Sequence, residues 1–270
     1  MKGEKGADQM QAGQALEALA EVVCRLRAPD GCPWDREQTH ATLREALIEE
    51  TYEVLEAIEH GTDADLREEL GDLLLHVVLH SQMAAERHAF TLNEVAQEVT
   101  EKLIRRHPHV FGEISLENSD EVLTQWEAIK SQEKQERTSV MDGIPPGLPA
   151  ASEAQKLQKR ATRLGMDWSS NGAVLDQMQS ELRELVEAGQ SGDVDQVEAE
   201  VGDVLFTAVN LARRYGVSAE LSLRAATKRF SSRIRHVELL AKEQGVQLPD
   251  ASEETLNDLW QQAKARLKQG

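Results

Sequence analysis

The sequence predicts an all-α chain built from two tandem copies of one helical bundle. Three observations carry this. Apolar residues recur every three or four positions along most of the chain, the period of a helix with one buried face. Only 4% of the 270 residues are aromatic and only seven are proline, a composition suited to helix packing and poor in what a β-sandwich needs. A shift of 131 residues superimposes one stretch of the chain on another without a gap.

The periodic segments follow in order. In the first half they run over Ala15–Arg27, Thr39–His60, Asp63–His88, Leu92–His107 and Ser119–Glu136. Then comes MDGIPPGLPA, Met141–Ala150, with three of the seven prolines and two glycines, a composition that makes a semi-rigid spacer instead of a helix. The helical rhythm resumes over Ser152–Leu164, Ala173–Ala188, Val194–Tyr215, Ser218–Gln244 and Glu253–Lys268. Five helices therefore follow five. The domain expectation is 1–137, a linker at 138–150, and 151–270.

The net charge of −18 argues against a binder of nucleic-acid polymers, which needs a basic face, and equally against a membrane surface. No apolar leader opens the chain and no stretch reaches the roughly 18 uncharged apolar residues of a membrane span, so a cytoplasmic protein is expected. Cys24 and Cys32 have no second pair at zinc-ligand spacing and are read as one core and one turn thiol.

The shift aligns Glu50, Glu53, Glu56, Ala57 and Gly61 with Glu181, Glu184, Glu187, Ala188 and Gly192. It also aligns Glu69, Gly71, Asp72, Leu74 and Val78 with Glu200, Gly202, Asp203, Leu205 and Val209. Each copy thus carries ExxE followed by ExxD on the next helix. One such pattern in so acidic a chain is weak; two in register are not. Each residue turns about 100° around a helix. Measured from apolar stripes at Leu47, Val54 and Ile58 and at Leu66, Leu73 and Val77, the four carboxylates fall at roughly 60° and 120° to the same side. In the second copy they stand likewise against Met178 and Leu185 and against Val197 and Val204. Two helices joined by a short Gly-containing turn run antiparallel, so these flanks converge. Four half-buried carboxylates repel and lose hydration unless cations neutralise them. An all-oxygen donor set selects Mg²⁺, with Mn²⁺ as a substitute, and Mg²⁺ keeps water positions that phosphate oxygens can take. A metal site for a phosphorylated substrate is the inference.

At these residues the chain resembles the MazG-type nucleoside triphosphate pyrophosphohydrolases, an all-α family with ExxE and ExxD on neighbouring helices. The likeness extends over GCPWDREQT, EETYEVLEAI, ELGDLLL, RRHPHVFG, QKLQKRA, VGDVLFTAVNLAR and WQQAK, nearly the whole chain, in the pattern of the two-domain bacterial members. It implies hydrolysis of NTPs and dNTPs to the monophosphate and pyrophosphate, Mg²⁺ dependence, broad base tolerance and a homodimer. It also implies that Glu181, Glu184, Glu200 and Asp203 are the catalytic metal ligands, and that Arg229, Arg233 and Trp260 contact the nucleotide. Family members often begin the motif EExxE. The first copy keeps Glu49, whereas the second has Ser180, a position the helical angles turn away from the metal edge.

Arg229, Arg233 and Lys228 share one segment, and Arg holds phosphate oxygens bidentately. Asn210, two turns beyond Asp203, is a further ribose or phosphate contact; Lys156, Lys159 and Arg160 are weaker ones. Trp260 is either a base-stacking face or a buried anchor. His76 reads as a satisfied, partly buried histidine, since Thr207 replaces it in the other copy. Glu50, Glu53, Glu69 and Asp72, with Lys102, Arg105, Arg106 and His107, form a possible second site, a regulatory pocket or a worn copy kept for dimerisation. The competing readings are a single-substrate relative acting on dUTP or phosphoribosyl-ATP, and a non-catalytic helical adaptor with an acidic docking face.

Overall fold

The computed structural model describes residues 2–133 and 138–268. The described residues are helical with no strand, and they fall into two compact units, Met1–Gln135 and Glu136–Gly270. Among them no helix is long and apolar enough to cross a membrane.

Unit 1 contains α1 (Lys2–Arg27), α2 (Pro33–Glu37), α3 (Arg44–His60), α4 (Asp63–Glu86), α5 (Leu92–Arg106), α6 (Pro108–Phe111) and α7 (Ser119–Gln132). The short α2 and α6 were not visible as periodicity, because one turn has no period; each starts on a proline, which suits the first helical position. The helix predicted from Thr39 starts at Arg44 instead. Thr39 and Thr42 fold the preceding residues into a turn, each backbone N–H reaching the other's hydroxyl at 2.9 and 3.2 Å. The predicted end at Glu136 lies outside the described residues.

The centre of unit 1 is the α3–α4 hairpin, with α1 packed on α4 over Val23, Leu43, Val78, Leu79 and Met83. Burying these side chains contributes roughly 1.5–3 kcal/mol apiece. Gly61 ends α3 where a side chain does not fit: a Cβ would stand 2.8 Å from the Ala57 backbone. Thr62 then caps α4 in a reciprocal box with Asp65, a signal for an abrupt helix start. Arg27, whose side chain is nearly buried, donates to Glu86 through Nε and Nη2 at 2.8 Å each and to the Gln38 carbonyl at 3.1 Å, tying α1 to α4.

Unit 2 contains α8 (Ala150–Ala161), α9 (Asn171–Ser191), α10 (Val194–Arg214), α11 (Ala219–Gln244) and α12 (Glu253–Arg266). The α9–α10 hairpin is its centre, α8 packs on α10, and α11 packs on α12 around Val237, Leu240, Ala241, Leu259 and Ala263. The proline-rich segment forms turns within this unit. Arg160 donates to the Val140 and Asp142 carbonyls at 3.0 and 2.7 Å, which holds the segment to α8. Both cysteines are free thiols, and Cys24, expected in a core, is exposed on α1.

The buried faces are rotated from the predicted stripes. On α3, Val54 and Ala57 are buried while Ile58 is 62% exposed; on α4, His76, Val78 and Leu79 are buried while Val77 is 41% exposed. On α9 the buried line is Val174, Glu181, Ala188, so Glu181 lies on the packed face itself and does not flank it. Neighbouring helices, not the single-helix pattern, decide this rotation.

Candidate active site

The connection between α9 and α10 builds the site in unit 2. Gly192 takes φ of 74°, a left-handed conformation that a side chain would strain. Asp193 then caps α10, accepting from the Asp195 and Gln196 backbone N–H groups at 3.1 and 3.3 Å. The tight reversal sets α9 antiparallel to α10 and brings three of the four predicted carboxylates together. One oxygen each of Glu181, Glu184 and Glu200 lies within 4.8 Å of the others. Asp203, one turn beyond Glu200, is exposed and stands outside that group, but its charge reaches Glu200.

The electrostatics follow from the crowding. Burial first, and then the negative charges of Glu184, Asp203 and Glu181, push the Glu200 carboxyl above its ordinary pKa. Its Oε2 is buried with no hydrogen-bond partner among the described residues. An orphaned anionic oxygen beside two further carboxylates is costly unless a cation sits there. The donors are hard oxygens without nitrogen or sulfur, a set that fits Mg²⁺ or Mn²⁺. Gln177 donates to Glu181 at 2.6 Å, and the Ser180 hydroxyl donates to Glu184 Oε1 at 2.9 Å. Ser180 therefore does not turn away from the metal edge, as the helical angles predicted. The Glu184 side chain leans back one turn to its i−4 neighbour Ser180, whose hydroxyl orients that carboxylate.

Unit 1 repeats the arrangement. Oxygens of Glu50, Glu53 and Glu69 lie within 4.8 Å of one another. Burial, followed by the charges of Glu53 and Asp72, raises Glu50; burial, followed by Glu53 and then Glu68 and Asp72, raises Glu69. A third group that sequence reasoning did not find, Glu56, Glu59 and His60, lies at the exposed end of α3. Its second-copy counterparts are Glu187, Gln190 and Ser191, so the repeat does not preserve it.

The predicted nucleotide contacts are partly assembled. Arg233 on α11 lies over the Trp260 ring of α12, 5.5 Å from its centroid, with Phe230 at 5.8 Å on the same ring. Trp260 is half-buried against the α11–α12 core, so it anchors and presents a face at once. Arg229 is exposed and Lys228 half-buried. Among the described residues no hydrogen bond or ion pair joins Arg229 or Arg233 to the carboxylates. Asn210 is placed elsewhere: its amide oxygen accepts from Arg213 at 3.0 Å, in the wall of a cavity of about 470 Å³ lined also by Trp168, Phe206 and Asp167. Lys156 and Lys159 line a separate depression, and Arg160 is committed to the segment before α8.

His76 is 6% exposed and its Nδ1 has no partner among the described residues, so it is neither partly buried nor satisfied; burial holds its pKa below the usual value. Its neighbour His80 shares a 2.7 Å Nδ1–Nδ1 contact with His40, a pair that sequence spacing does not reveal.

Residues 38–111 and 170–238 match the model of the MazG nucleotide pyrophosphohydrolase domain, and the two segments contain both carboxylate groups. The chain belongs to the MazG family. It is 45% identical over 254 residues to a nucleoside triphosphate pyrophosphohydrolase of Escherichia coli K12, covering 92% of this chain and 97% of that protein. It is 44% identical over 255 residues to the nucleoside triphosphate pyrophosphohydrolase/pyrophosphatase MazG of Thermotoga maritima, covering 94% and 97%. A nucleoside triphosphate pyrophosphohydrolase of Mycobacterium tuberculosis is 43% identical over 162 residues, 59% of this chain and 49% of that protein. Arg229 and Arg233 fall inside the second MazG segment; Trp126 and Trp260 lie outside both segments.

Proposed function

We propose that this MazG-family chain hydrolyses nucleoside triphosphates, ribo- and deoxyribo- alike, to the monophosphate and pyrophosphate in a Mg²⁺-dependent reaction centred on unit 2. The observation that carries this is the approach of Glu181, Glu184 and Glu200 within 4.8 Å, with one Glu200 oxygen buried and unpartnered. Relatives at 44–45% identity over nearly their full length bear that activity in their names.

Glu181, Glu184, Glu200 and Asp203 are the residues that would hold the metal. Mg²⁺ held by them would supply charge neutralisation for the phosphoryl group and would acidify a bound water. The chain's own groups do the rest. A carboxylate of the group takes the water's proton as the water adds to the α-phosphorus and the α–β anhydride bond breaks. Ser180 and Gln177 hold Glu184 and Glu181 in place, so that little reorientation is needed during the reaction. Arg229 and Arg233 hold phosphoryl oxygens and stabilise the charge on the departing pyrophosphate. Trp260 offers a flat apolar face to the base, a contact that tolerates any base.

A cytoplasmic homodimer completes the reading. Val201 and Leu205 on α10 stand 40% and 60% exposed, and their counterparts Leu70 and Leu74 on α4 stand 49% and 41% exposed, matched apolar stripes suited to a second copy. Light scattering on the purified chain tests this, and a monomer at micromolar concentration refutes it.

The activity is tested by chromatography of products from a panel of ribo- and deoxyribonucleotides with Mg²⁺. Monophosphate and pyrophosphate from several bases are expected. Diphosphate and orthophosphate would refute the bond assignment, turnover of dUTP or phosphoribosyl-ATP alone would refute the breadth, and no turnover would favour the adaptor.

A further inference from the structure

The repeat extends beyond the carboxylates once the helix caps are aligned. In α5, capped by Thr91, Lys102 and Arg106 are the eleventh and fifteenth residues; in α11, capped by Ser218, Arg229 and Arg233 hold the same two positions. In α7 the eighth residue is Trp126, and in α12 it is Trp260. The side chains meet in the same way: the Arg106 guanidinium lies 5.3 Å from the centroid of Trp126, as Arg233 lies 5.5 Å from that of Trp260. Lys130 adds a second cation 4.4 Å from the Trp126 centroid.

Two differences separate the copies here: the fourteenth residue of α5 is Arg105 where α11 has Ser232, and the residue facing the fork differs. The fifteenth position counted from the start of α7 is Glu133, and the corresponding position after α12 is Leu267. Glu133 turns its carboxylate onto the two arginines. Oε1 accepts from Arg105 Nε at 2.7 Å, and Oε2 accepts from Arg106 Nε and Nη2 at 3.0 and 2.6 Å. A carboxylate across an arginine fork stands where a phosphoryl group would bind, since both offer paired anionic oxygens to the same donors. The Arg106 and Glu133 side chains keep 14% and 18% of their surface exposed and that of Arg105 keeps 55%, so the contact lies at the surface with only its Arg106 arm shielded. The arginines hold the Glu133 carboxyl down at about 2, so it is ionised at any physiological pH. In unit 2, among the described residues, no carboxylate pairs with Arg229 or Arg233.

We propose that unit 1 contains a second polyphosphate-binding site, formed by Lys102, Arg105, Arg106 and Trp126, which Glu133 closes by occupying the phosphoryl position. The ligand is the phosphate tail of a nucleoside triphosphate, with Trp126 against its base. A tethered carboxylate acts at an effective concentration in the millimolar range, so it outcompetes a dilute ligand and yields to a concentrated or more highly charged one. Closure lowers the apparent affinity by the fraction of time the fork is open. The proposal rests on the pyrophosphohydrolase reading for the identity of the ligand alone.

The test is calorimetric titration of the full-length chain with an ATP analogue whose α–β bridge is methylene, in Mg²⁺. The wild type is expected to bind one equivalent per chain in the micromolar range. Glu133→Gln and Glu133→Asp are each expected to bind a second equivalent, at least tenfold tighter than any second binding by the wild type. Adding Arg106→Ala to Glu133→Gln should remove that second equivalent and leave the first. A single equivalent in folded Glu133 variants up to millimolar analogue overturns the proposal, as does a second equivalent that survives Arg106→Ala. Should both Glu133 variants fail to fold, the wild type decides. Millimolar tripolyphosphate should displace Glu133 and change the Trp126 fluorescence, a change absent from Trp126→Phe, and no change overturns the proposal. Loss of the first equivalent together with turnover would instead count against the assignment of unit 2. A fluorescence response to tripolyphosphate without a second nucleotide equivalent would overturn the nucleotide as ligand.

Discussion

Replacing Glu200 by Gln removes one charge from a group whose oxygens crowd within 4.8 Å, and keeps the shape of the side chain. Two opposite effects follow. With nucleotide and Mg²⁺, kcat/KM should fall about 100-fold or more, the order seen when one preorganised group facing developing charge is lost. Without metal, the substitution should stabilise. Burial and the neighbouring carboxylates raise the folded-state pKa of Glu200 above the ordinary glutamate value, so the folded chain favours its protonated form. The associated stability is present below the unfolded pKa and is lost as pH rises through the raised folded value. In EDTA, the wild-type Tm relative to that of the variant should therefore decline from about pH 4.5 upward. Mg²⁺ should reverse the order. A tenfold loss of Mg²⁺ affinity in the variant takes about 4 °C off the metal-induced rise in Tm for a unit of this size. Differential scanning fluorimetry across pH, with EDTA or Mg²⁺, reads both effects. A variant less stable than the wild type in EDTA at pH 7, with the same Mg²⁺-induced rise, would refute the view that these carboxylates are held together for a cation.

Other consequences are separable. Ser180→Ala frees the Glu184 carboxylate and should lower kcat/KM about 10-fold while raising the Mg²⁺ concentration needed for half-maximal rate; an unchanged Mg²⁺ curve would show that the hydroxyl orients nothing. Arg233→Ala should raise KM for the nucleotide about tenfold, and Arg233→Lys should recover only part of it, because a lysine keeps the charge but not the fork; steady-state kinetics decide. Gly192→Ala should cost unit 2 about 1–2 kcal/mol in chemical denaturation, because its φ of 74° is left-handed. Gly61→Ala should destabilise unit 1 through the 2.8 Å approach to Ala57 despite an ordinary φ, a difference that denaturation of the two variants resolves by unit.

Much of the site was legible because its residues sit on regular helices. A spacing of three places Glu50 beside Glu53 and Glu200 near Asp203 on one side of any helix, whatever surrounds it. The connecting glycines marked the reversals, and the repetition separated the signal from an acidic background. Trp126 was missed although its eighth place in α7 matches Trp260 in α12, because the gapless 131-residue shift fails beyond α4: the first residues of α5 and α11, Leu92 and Ala219, stand 127 apart, and those of α7 and α12, Ser119 and Glu253, stand 134 apart. Ser180 was misjudged because an ideal wheel assigns a direction to the Cα–Cβ bond and not to a long carboxylate side chain that leans back one turn to meet the hydroxyl.

What the sequence determined alone was local or repeated: the helical class, the two copies, and which carboxylates stand on neighbouring helices. Those properties follow from the fixed turn per residue and the short connections. Only the tertiary structure decided which faces are buried, and so why Glu181 lies on a packed face, why Val77 is exposed and why His76 is not. It alone placed Glu133 on Arg105 and Arg106, with Trp126 beneath. The physical reason is that helix rotation and long side-chain rotamers are set by partners distant in the chain, whose packing no periodicity records.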